Sequence, residues 1–137
     1  MAARLGAAWT GADVAALREA TAGKGSTLVV EATNAPEGFR DAVLAAKIGG
    51  RIVMVGIPDG DSYTLPASEI RRRGLKIKFA RRMGEVYPRA IELVAQSKVD
   101  VASMVTHELG LDEAPDAFRR HADMAPGFIK SLIYPNR

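Results

Sequence analysis

The chain has 137 residues, of which 47% are apolar and 26% are charged, and its net charge is +3. These values are typical of a soluble globular domain of ordinary size, and they exclude extended disorder. Because the sequence contains no cysteine, disulfides, thiolate zinc sites and cysteine nucleophiles are excluded as well. No apolar run approaches the roughly 20 residues that span a bilayer, so we expect a cytoplasmic protein without membrane contact.

The first part of the chain alternates between predicted helices and strands. Residues 13–21 predict a helix that a glycine-rich segment ends. Residues 27–32 form a nearly continuous apolar run, which is typical of a strand covered on both faces. A similar run at residues 51–55 predicts another strand, which stops at Gly56.

A helix is predicted between these two strands. Phe39, Val43 and Ala46 recur at helical spacing. Pro36 stands near the predicted start, and the helix is expected to end at the Gly49–Gly50 pair. A strand, a helix and a strand within about 30 residues form a βαβ crossover, which makes the two strands parallel.

A third strand is predicted after a further helix. Residues 67–73 predict a short helix, with Ser68 or the residue before it as the N-cap. Residues 75–80 predict the strand, so we expect a small parallel sheet.

The character of the sequence changes after Arg82. Amphipathic helices are predicted at residues 87–98 and 111–123, and a closing strand at residues 128–134. Little in this region indicates a sheet that could stand alone.

Few side chains carry obvious chemistry. The only histidines, His107 and His121, form no metal-binding motif, and His107 is interpreted as a residue that holds a loop. Neither GxGxxG nor GxxxxGK[ST] is present, so no phosphate-binding turn is predicted. Glu31, at the end of a strand, is either a buried base or, as we favour, an acceptor of hydrogen bonds from a neighbouring loop. From chemistry alone the sequence predicts no catalytic residue.

Much of the positive charge lies in residues 71–82. We interpret this segment as a solvated helix end followed by a strand on which Lys76 and Lys78 point outward. Nucleic acid is not an expected partner, because the segment has no interleaved aromatic residues and no nucleic-acid motif.

A family resemblance is carried by the segment "VVEATNAPEGFRDAVLAAKIGGRIVMVGIPDG" and continues through "EIRRRGLKIKFARR" to "FIKSLI". These segments resemble the carboxyl-terminal portion of zinc-containing medium-chain alcohol dehydrogenases, with the sorbitol and polyol dehydrogenase branch the nearest. The resemblance implies an α/β fold in which residues 1–82 form a partial Rossmann domain, with strands 4 to 6 of a doubly wound parallel sheet and their flanking helices. Residues 83–137 would be the carboxyl-terminal segment of the catalytic domain, with its helices.

The resemblance implies six cofactor-binding positions, each of which follows a predicted strand: Thr33, Asn34, Val55, Gly56, Ile57 and Arg82. Thr33 and Asn34 would line the adenine side of NAD. Residues 55–57 would meet the nicotinamide largely through backbone groups, with Gly56 where the cofactor passes close to the chain. A tight turn without a ligand is the alternative for Gly56. Arg82 would lie near the cofactor and the mouth of the active site.

The resemblance also implies an activity that these residues do not complete. The parent enzyme is expected to oxidise a secondary alcohol by hydride transfer to NAD or NADP, with zinc bound by the parent only and not by this chain. The family's zinc ligands, proton relay and glycine-rich turn lie in regions that precede the match. We therefore expect the isolated chain to be inactive and to bind the cofactor weakly at most.

The implied sheet order suggests a second role. In a Rossmann sheet of order 3-2-1-4-5-6, strands 4 to 6 alone leave strand 4 with an apolar edge, and such an edge recruits another chain. Strand 6 edges pair across a dimer axis in the family. We therefore expect a homo-oligomer formed through sheet edges, and the alternative function is a non-catalytic oligomerisation module.

Overall fold

The computed structural model describes residues 1–60 and 62–136. The chain is α/β, as predicted, and it divides into two compact units, one spanning Ala2–Met83 and the other starting at Gly84. In the part of the chain that the structure describes, a membrane-spanning helix is absent.

The first unit is built on a parallel sheet. After a 3₁₀ turn at Ala2–Leu5, its elements are α1 (Val14–Ala20), β1 (Ser26–Glu31), α2 (Pro36–Ala45), β2 (Ala46–Met54), α3 (Ala67–Arg73) and β3 (Lys76–Phe79). The strands are ordered β1-β2-β3 and both neighbouring pairs are parallel. The register places Val29 beside Ile52 and Ile52 beside Ile77. The predicted parallel sheet is confirmed.

The core of the first unit lies between α2 and the sheet. Its largest fully buried side chains are Phe39, Val43, Ile52 and Met54, each at most 1% exposed. Burial of each such side chain contributes roughly 1.5–3 kcal/mol. The charged residues Lys76 and Lys78 of β3 are exposed on either side of the half-buried Ile77, as predicted.

The predicted end of α2 at the Gly49–Gly50 pair is wrong, because the helix ends at Ala45. The carbonyl oxygen of Leu44 accepts hydrogen bonds from Arg18 Nε (3.1 Å) and Arg73 Nη1 (3.3 Å). These guanidinium groups satisfy the last turn of the helix, where carbonyls otherwise lack partners. The chain is therefore free to become extended directly afterwards, and the following residues form the start of β2.

The bounds of α3 match the prediction, but its predicted N-cap is wrong. Pro66 occupies the N-cap position and supplies no side-chain hydrogen bond. The helix ends at Gly74, whose φ of 58° lies in the left-handed region that favours glycine.

The second unit contains α4 (Tyr87–Ala95), a 3₁₀ turn (Ala102–Met104), β4 (His107–Gly110), α5 (Ala114–Ala122) and β5 (Ser131–Tyr134). Both predicted helices and the closing strand are present. β4 and β5 pair in parallel as a separate two-stranded sheet, with His107 beside Ser131. His107, interpreted as a residue that holds a loop, is the first residue of β4, and its Nδ1 lies 3.0 Å from Oγ1 of the preceding Thr106. The local sequence gives little indication of β4, because this strand has four residues and its pairing partner lies 24 residues later in the chain.

Candidate functional site

The carboxyl ends of β1, β2 and β3 form one edge of the first unit's sheet, called here the carboxyl edge. Because the strands are parallel, the residues that follow them lie at this same edge, where open α/β sheets bind their ligands. All six predicted positions follow one of these strands. Thr33 and Asn34 come after β1, residues 55–57 after β2, and Arg82 after β3.

Backbone hydrogen bonds join the ends of β1 and β2. The carbonyl oxygen of Glu31 accepts from Val55 N (2.8 Å) and from Gly56 N (3.2 Å). Farther along the two loops, Asn34 Nδ2 donates to Asp59 Oδ1 at 3.4 Å. The two predicted groups of cofactor-binding residues are thus tied together by contacts within the chain.

Gly56 is required by the packing of the chain itself. A Cβ atom at this position would lie 1.8 Å from the carbonyl oxygen of Thr33 and 2.6 Å from Glu31 Oε2. No side chain fits there without moving the backbone after β1. The close approach that Gly56 permits in this structure is therefore one between two strand ends.

Glu31 is the buried charged residue of this edge, with 5% of its surface exposed. Its Oε1 accepts hydrogen bonds from Thr33 N (2.7 Å) and Thr33 Oγ1 (2.6 Å). The favoured interpretation of Glu31, an acceptor for a neighbouring loop, is confirmed. Its Oε2 is buried and finds no hydrogen-bond partner among the described residues.

Sequence reasoning missed Tyr63. The Tyr63 hydroxyl donates to the carbonyl oxygen of Gly56 at 2.9 Å. Its ring packs edge-on against Phe39 and Phe79, with centroid distances of 4.8 and 5.0 Å. No local pattern indicates this role, because the contacts of Tyr63 span up to 24 residues of sequence.

The carboxyl edge contains a cavity of about 310 Å³ beside β2 and β3. It is lined by Met54, Val55, Ile57, Tyr63, Phe79, Ala80, Arg81 and Arg82. Three of the six predicted positions, Val55, Ile57 and Arg82, are thus brought together. An apolar and aromatic wall beside two arginines suits a flat organic group attached to an anionic one.

Thr33 lies elsewhere on the same edge. It lines a second hollow, also of about 310 Å³, together with Trp9, Val30 and Glu31. The six predicted positions therefore share one edge but do not line a single cavity.

The described residues do not fit a zinc ion. Within residues 1–60 and 62–136, no three or more histidine, aspartate and glutamate side chains are grouped closely enough to hold a metal. Both histidines belong to the second unit, where the rings of His107 and His121 pack against Phe128 at 4.2 and 4.7 Å. These histidines contribute to packing.

Comparison with known proteins gives consistent relatives. Residues 1–96 match the family of zinc-binding dehydrogenases. L-arabinitol 4-dehydrogenase from Hypocrea jecorina is 29% identical over 106 residues, which are 77% of this chain and 28% of that protein. Sorbitol dehydrogenase from Bacillus subtilis (strain 168) is 26% identical over 121 residues, which are 88% of this chain and 34% of that protein.

A solved structure extends the likeness to three dimensions. A protein from Sinorhizobium meliloti 1021, described as a zinc-binding dehydrogenase and bound to NADP, is 30% identical with a TM-score of 0.70. The match covers 82% of this chain and 32% of that one. The chain spans about a third of the length of the curated relatives it matches. The resemblance to the sorbitol and polyol branch is confirmed, and because the family match covers more than half of its residues, the chain belongs to the zinc-binding dehydrogenase family.

Proposed function

We propose that the chain serves a polyol dehydrogenase in which its carboxyl edge binds NAD or NADP. The observation that carries this proposal is the cavity beside β2 and β3, because Val55, Ile57 and Arg82 line it together. The relatives of the chain support this proposal. An arabinitol dehydrogenase and a sorbitol dehydrogenase match it by sequence, and a structural relative is bound to NADP.

Different residues of the chain bind different parts of the cofactor. Backbone groups of residues 55–57 and the apolar wall of the cavity hold the nicotinamide end, and the positive charge of Arg82 attracts the anionic part of the cofactor. Thr33 and Asn34 line the adenine side. When bound, the cofactor accepts a hydride from the secondary alcohol that the whole enzyme oxidises.

The chain by itself binds without catalysing. The described residues offer no group that fits zinc, so they hold the cofactor but supply no Lewis acid for the alcohol. We assign no catalytic residue to this chain, and residues 83–137 are the carboxyl-terminal segment of the catalytic domain.

Titration of the purified chain with NADH and with NADPH tests the proposal. We expect weak, saturable binding of at least one of them, followed by the fluorescence of the reduced nicotinamide. Arg82→Ala is expected to weaken it about tenfold, as for loss of one charge-assisted contact. Arg72→Ala, which removes an exposed arginine of α3, is the matched control.

Two results would contradict the proposal. One is the absence of saturable binding of both cofactors by the folded chain. The other is reduction of NAD or NADP by the isolated chain with sorbitol as substrate, which would mean that a catalytic group lies within these residues.

A second candidate function, assembly through sheet edges, is favoured by the exposure of β1. Leu28 and Val30 on this edge strand are 50% and 59% exposed. Apolar edges of this kind pair with other chains. If copies of the chain associate here, Val30→Lys lowers the mass measured by sedimentation at high concentration, whereas an unchanged mass argues against β1 as the interface.

A further inference from the structure

We propose that Glu31 is the positioning residue of the carboxyl edge: its buried carboxylate fixes the loop after β1, and its backbone carbonyl joins that loop to the end of β2. This inference rests on the proposed function, because it concerns the edge to which the cofactor would bind. Glu31 is not a catalytic residue, since it is 5% exposed and its carboxylate acts through Thr33.

Four hydrogen bonds converge on Glu31. Its backbone carbonyl holds Val55 N and Gly56 N, and its Oε1 holds the amide and the hydroxyl of Thr33. Three of the six proposed cofactor-binding residues, Thr33, Val55 and Gly56, are therefore held in place by hydrogen bonds to Glu31.

Two glycines leave space for the Glu31 side chain and for Thr33. A Cβ at Gly38 would lie 2.5 Å from Thr33 Oγ1 and 3.1 Å from Glu31 Oε1. A Cβ at Gly56 would lie 2.6 Å from Glu31 Oε2. Glycines thus stand close to both oxygens, one in the first turn of α2 and one after β2. The fold lets two elements approach the Glu31–Thr33 pair more closely than any side chain would allow.

The hydrogen bond to Glu31 limits how the Thr33 hydroxyl can bind a ligand. Its hydroxyl has a single hydrogen, which it donates to Glu31 Oε1. Towards a ligand the Thr33 hydroxyl is therefore an acceptor only. Its recognition chemistry would be that of a partner for a hydroxyl or amino donor, such as a ribose hydroxyl or the adenine amine of the cofactor.

The two oxygens of Glu31 suggest the decisive variant. Oε1 makes both side-chain contacts, and Oε2 is buried without a partner among the described residues. Glu31→Gln keeps an acceptor for Thr33 and replaces the unpartnered oxygen with an amide donor. Glu31→Ala removes both. If Glu31 acts by positioning Thr33, the glutamine variant retains the effect and the alanine variant loses it.

The experiment uses the full 137-residue chain, with NADH as the probe and the ¹⁵N resonance of the Thr33 amide as a local reporter. We expect Glu31→Ala to raise the Kd for NADH about tenfold and to shift the Thr33 amide upfield, because its hydrogen-bond acceptor is lost. Glu31→Gln is expected to stay within about threefold of the unaltered chain. Glu37→Ala, at an exposed position in the first turn of α2, is the control.

Each outcome decides the proposal. Equal NADH affinity for the folded alanine and unaltered chains overturns it, and so does an unmoved Thr33 amide. If the alanine variant does not fold, Thr33→Val, which deletes both the hydroxyl's donation to Glu31 Oε1 and its acceptor for a ligand, must weaken NADH binding about threefold relative to Thr33→Ser, and no difference overturns the proposal. If the unaltered chain binds neither NADH nor NADPH, the proposed function fails first, and the Thr33 amide alone decides whether Glu31 positions this loop.

Discussion

The two units of the chain bury their apolar side chains to very different degrees. In the first unit the largest fully buried side chains are Phe39, Val43, Ile52 and Met54, which form one cluster between a helix and the sheet. In the second unit, among the described residues, the buried apolar side chains are those of Ala117 and Phe128. Phe118 and Ile91, on its two helices, are 76% and 67% exposed.

The small core of the second unit depends on polar groups. Phe128 is packed against the rings of His107 and His121, and the Arg120 guanidinium lies 4.3 Å from its centroid. Contacts between a cation and a ring contribute about 0.5–2 kcal/mol, less than burial of a large apolar side chain. The first unit is therefore expected to hold most of the stability of the isolated chain.

This difference shows that a hydrophobic pattern predicts a helix but does not predict whether its apolar face is buried. Residues 36–45 and 114–122 both show apolar residues at helical spacing, and both form helices. The pattern identifies the face that favours burial, but burial also needs a surface to pack against. Phe39 packs against the sheet, whereas Phe118 is exposed to solvent.

The largest expected effect contrasts these two phenylalanines. Phe39→Ala leaves a cavity in the closed core and is expected to lower the free energy of unfolding by about 3–5 kcal/mol. Phe118→Ala, at an exposed position, is expected to change it by less than about 0.5 kcal/mol. Urea unfolding followed by circular dichroism measures both, and the single tryptophan, Trp9, reports on the first unit.

A large effect of Phe118→Ala on the free energy of unfolding would contradict this difference between the two units. A loss of several kcal/mol on Phe118→Ala would mean that α5 is covered in solution by another molecule. Repeating the measurement at several protein concentrations separates this case, because stability supplied by association rises with concentration.

A smaller effect is expected for the arginines that end α2. Arg18 Nε donates to the carbonyl of Leu44, and Arg18 Nη1 donates to that of Gly23 at 2.6 Å. Arg18→Ala is expected to cost about 1.5–3 kcal/mol, since hydrogen bonds from a charged group are lost. Arg73 still reaches the Leu44 carbonyl and limits the loss. Arg71→Ala, at an exposed position on α3, provides the control in the same unfolding experiment.

These arginines also explain one failure of sequence reasoning. The parallel sheet and the helices between its strands follow from periodicity and from the chirality of βαβ crossovers, whereas the order of the strands follows from the family resemblance. The end of α2 does not follow from periodicity, because it depends on Arg18 and Arg73, which lie 26 and 29 residues from Leu44. A glycine pair is a local stop signal, and here contacts from distant residues end the helix first.

The candidate site shows the same limit. Its edge of the sheet could be predicted, because the residues after parallel strands meet at one edge. The six positions come from the family resemblance, and their role in cofactor binding stays a prediction. The split into two hollows could not be predicted, since it depends on where side chains pack. The role of Tyr63 and the fit of Glu31 beside Gly56 likewise depend on residues brought together only by the fold.

The smallest expected effect concerns Asp100, whose contacts are local in sequence, unlike the long-range contacts that stabilise the first unit. In the second unit, the Asp100 carboxylate accepts hydrogen bonds from the Ser103 hydroxyl and from Ser103 N, the latter at 3.0 Å. These contacts lower the pKa of Asp100 below its ordinary value, with the hydroxyl as the larger cause. Because the folded pKa is below the unfolded one, this contribution to stability is present above the unfolded pKa and is lost as the pH falls through the folded pKa.

Asp100→Asn is therefore expected to flatten slightly the fall in thermal midpoint between neutral pH and about pH 3. Ser103→Ala removes the hydroxyl but keeps the amide donor, so it should give part of the same change. The effect is small because Asp100 is fully exposed and solvent screens its contacts. A change as large as that of Phe39→Ala would contradict the comparison, because it would show that a local turn stabilises the second unit as strongly as a closed core stabilises the first.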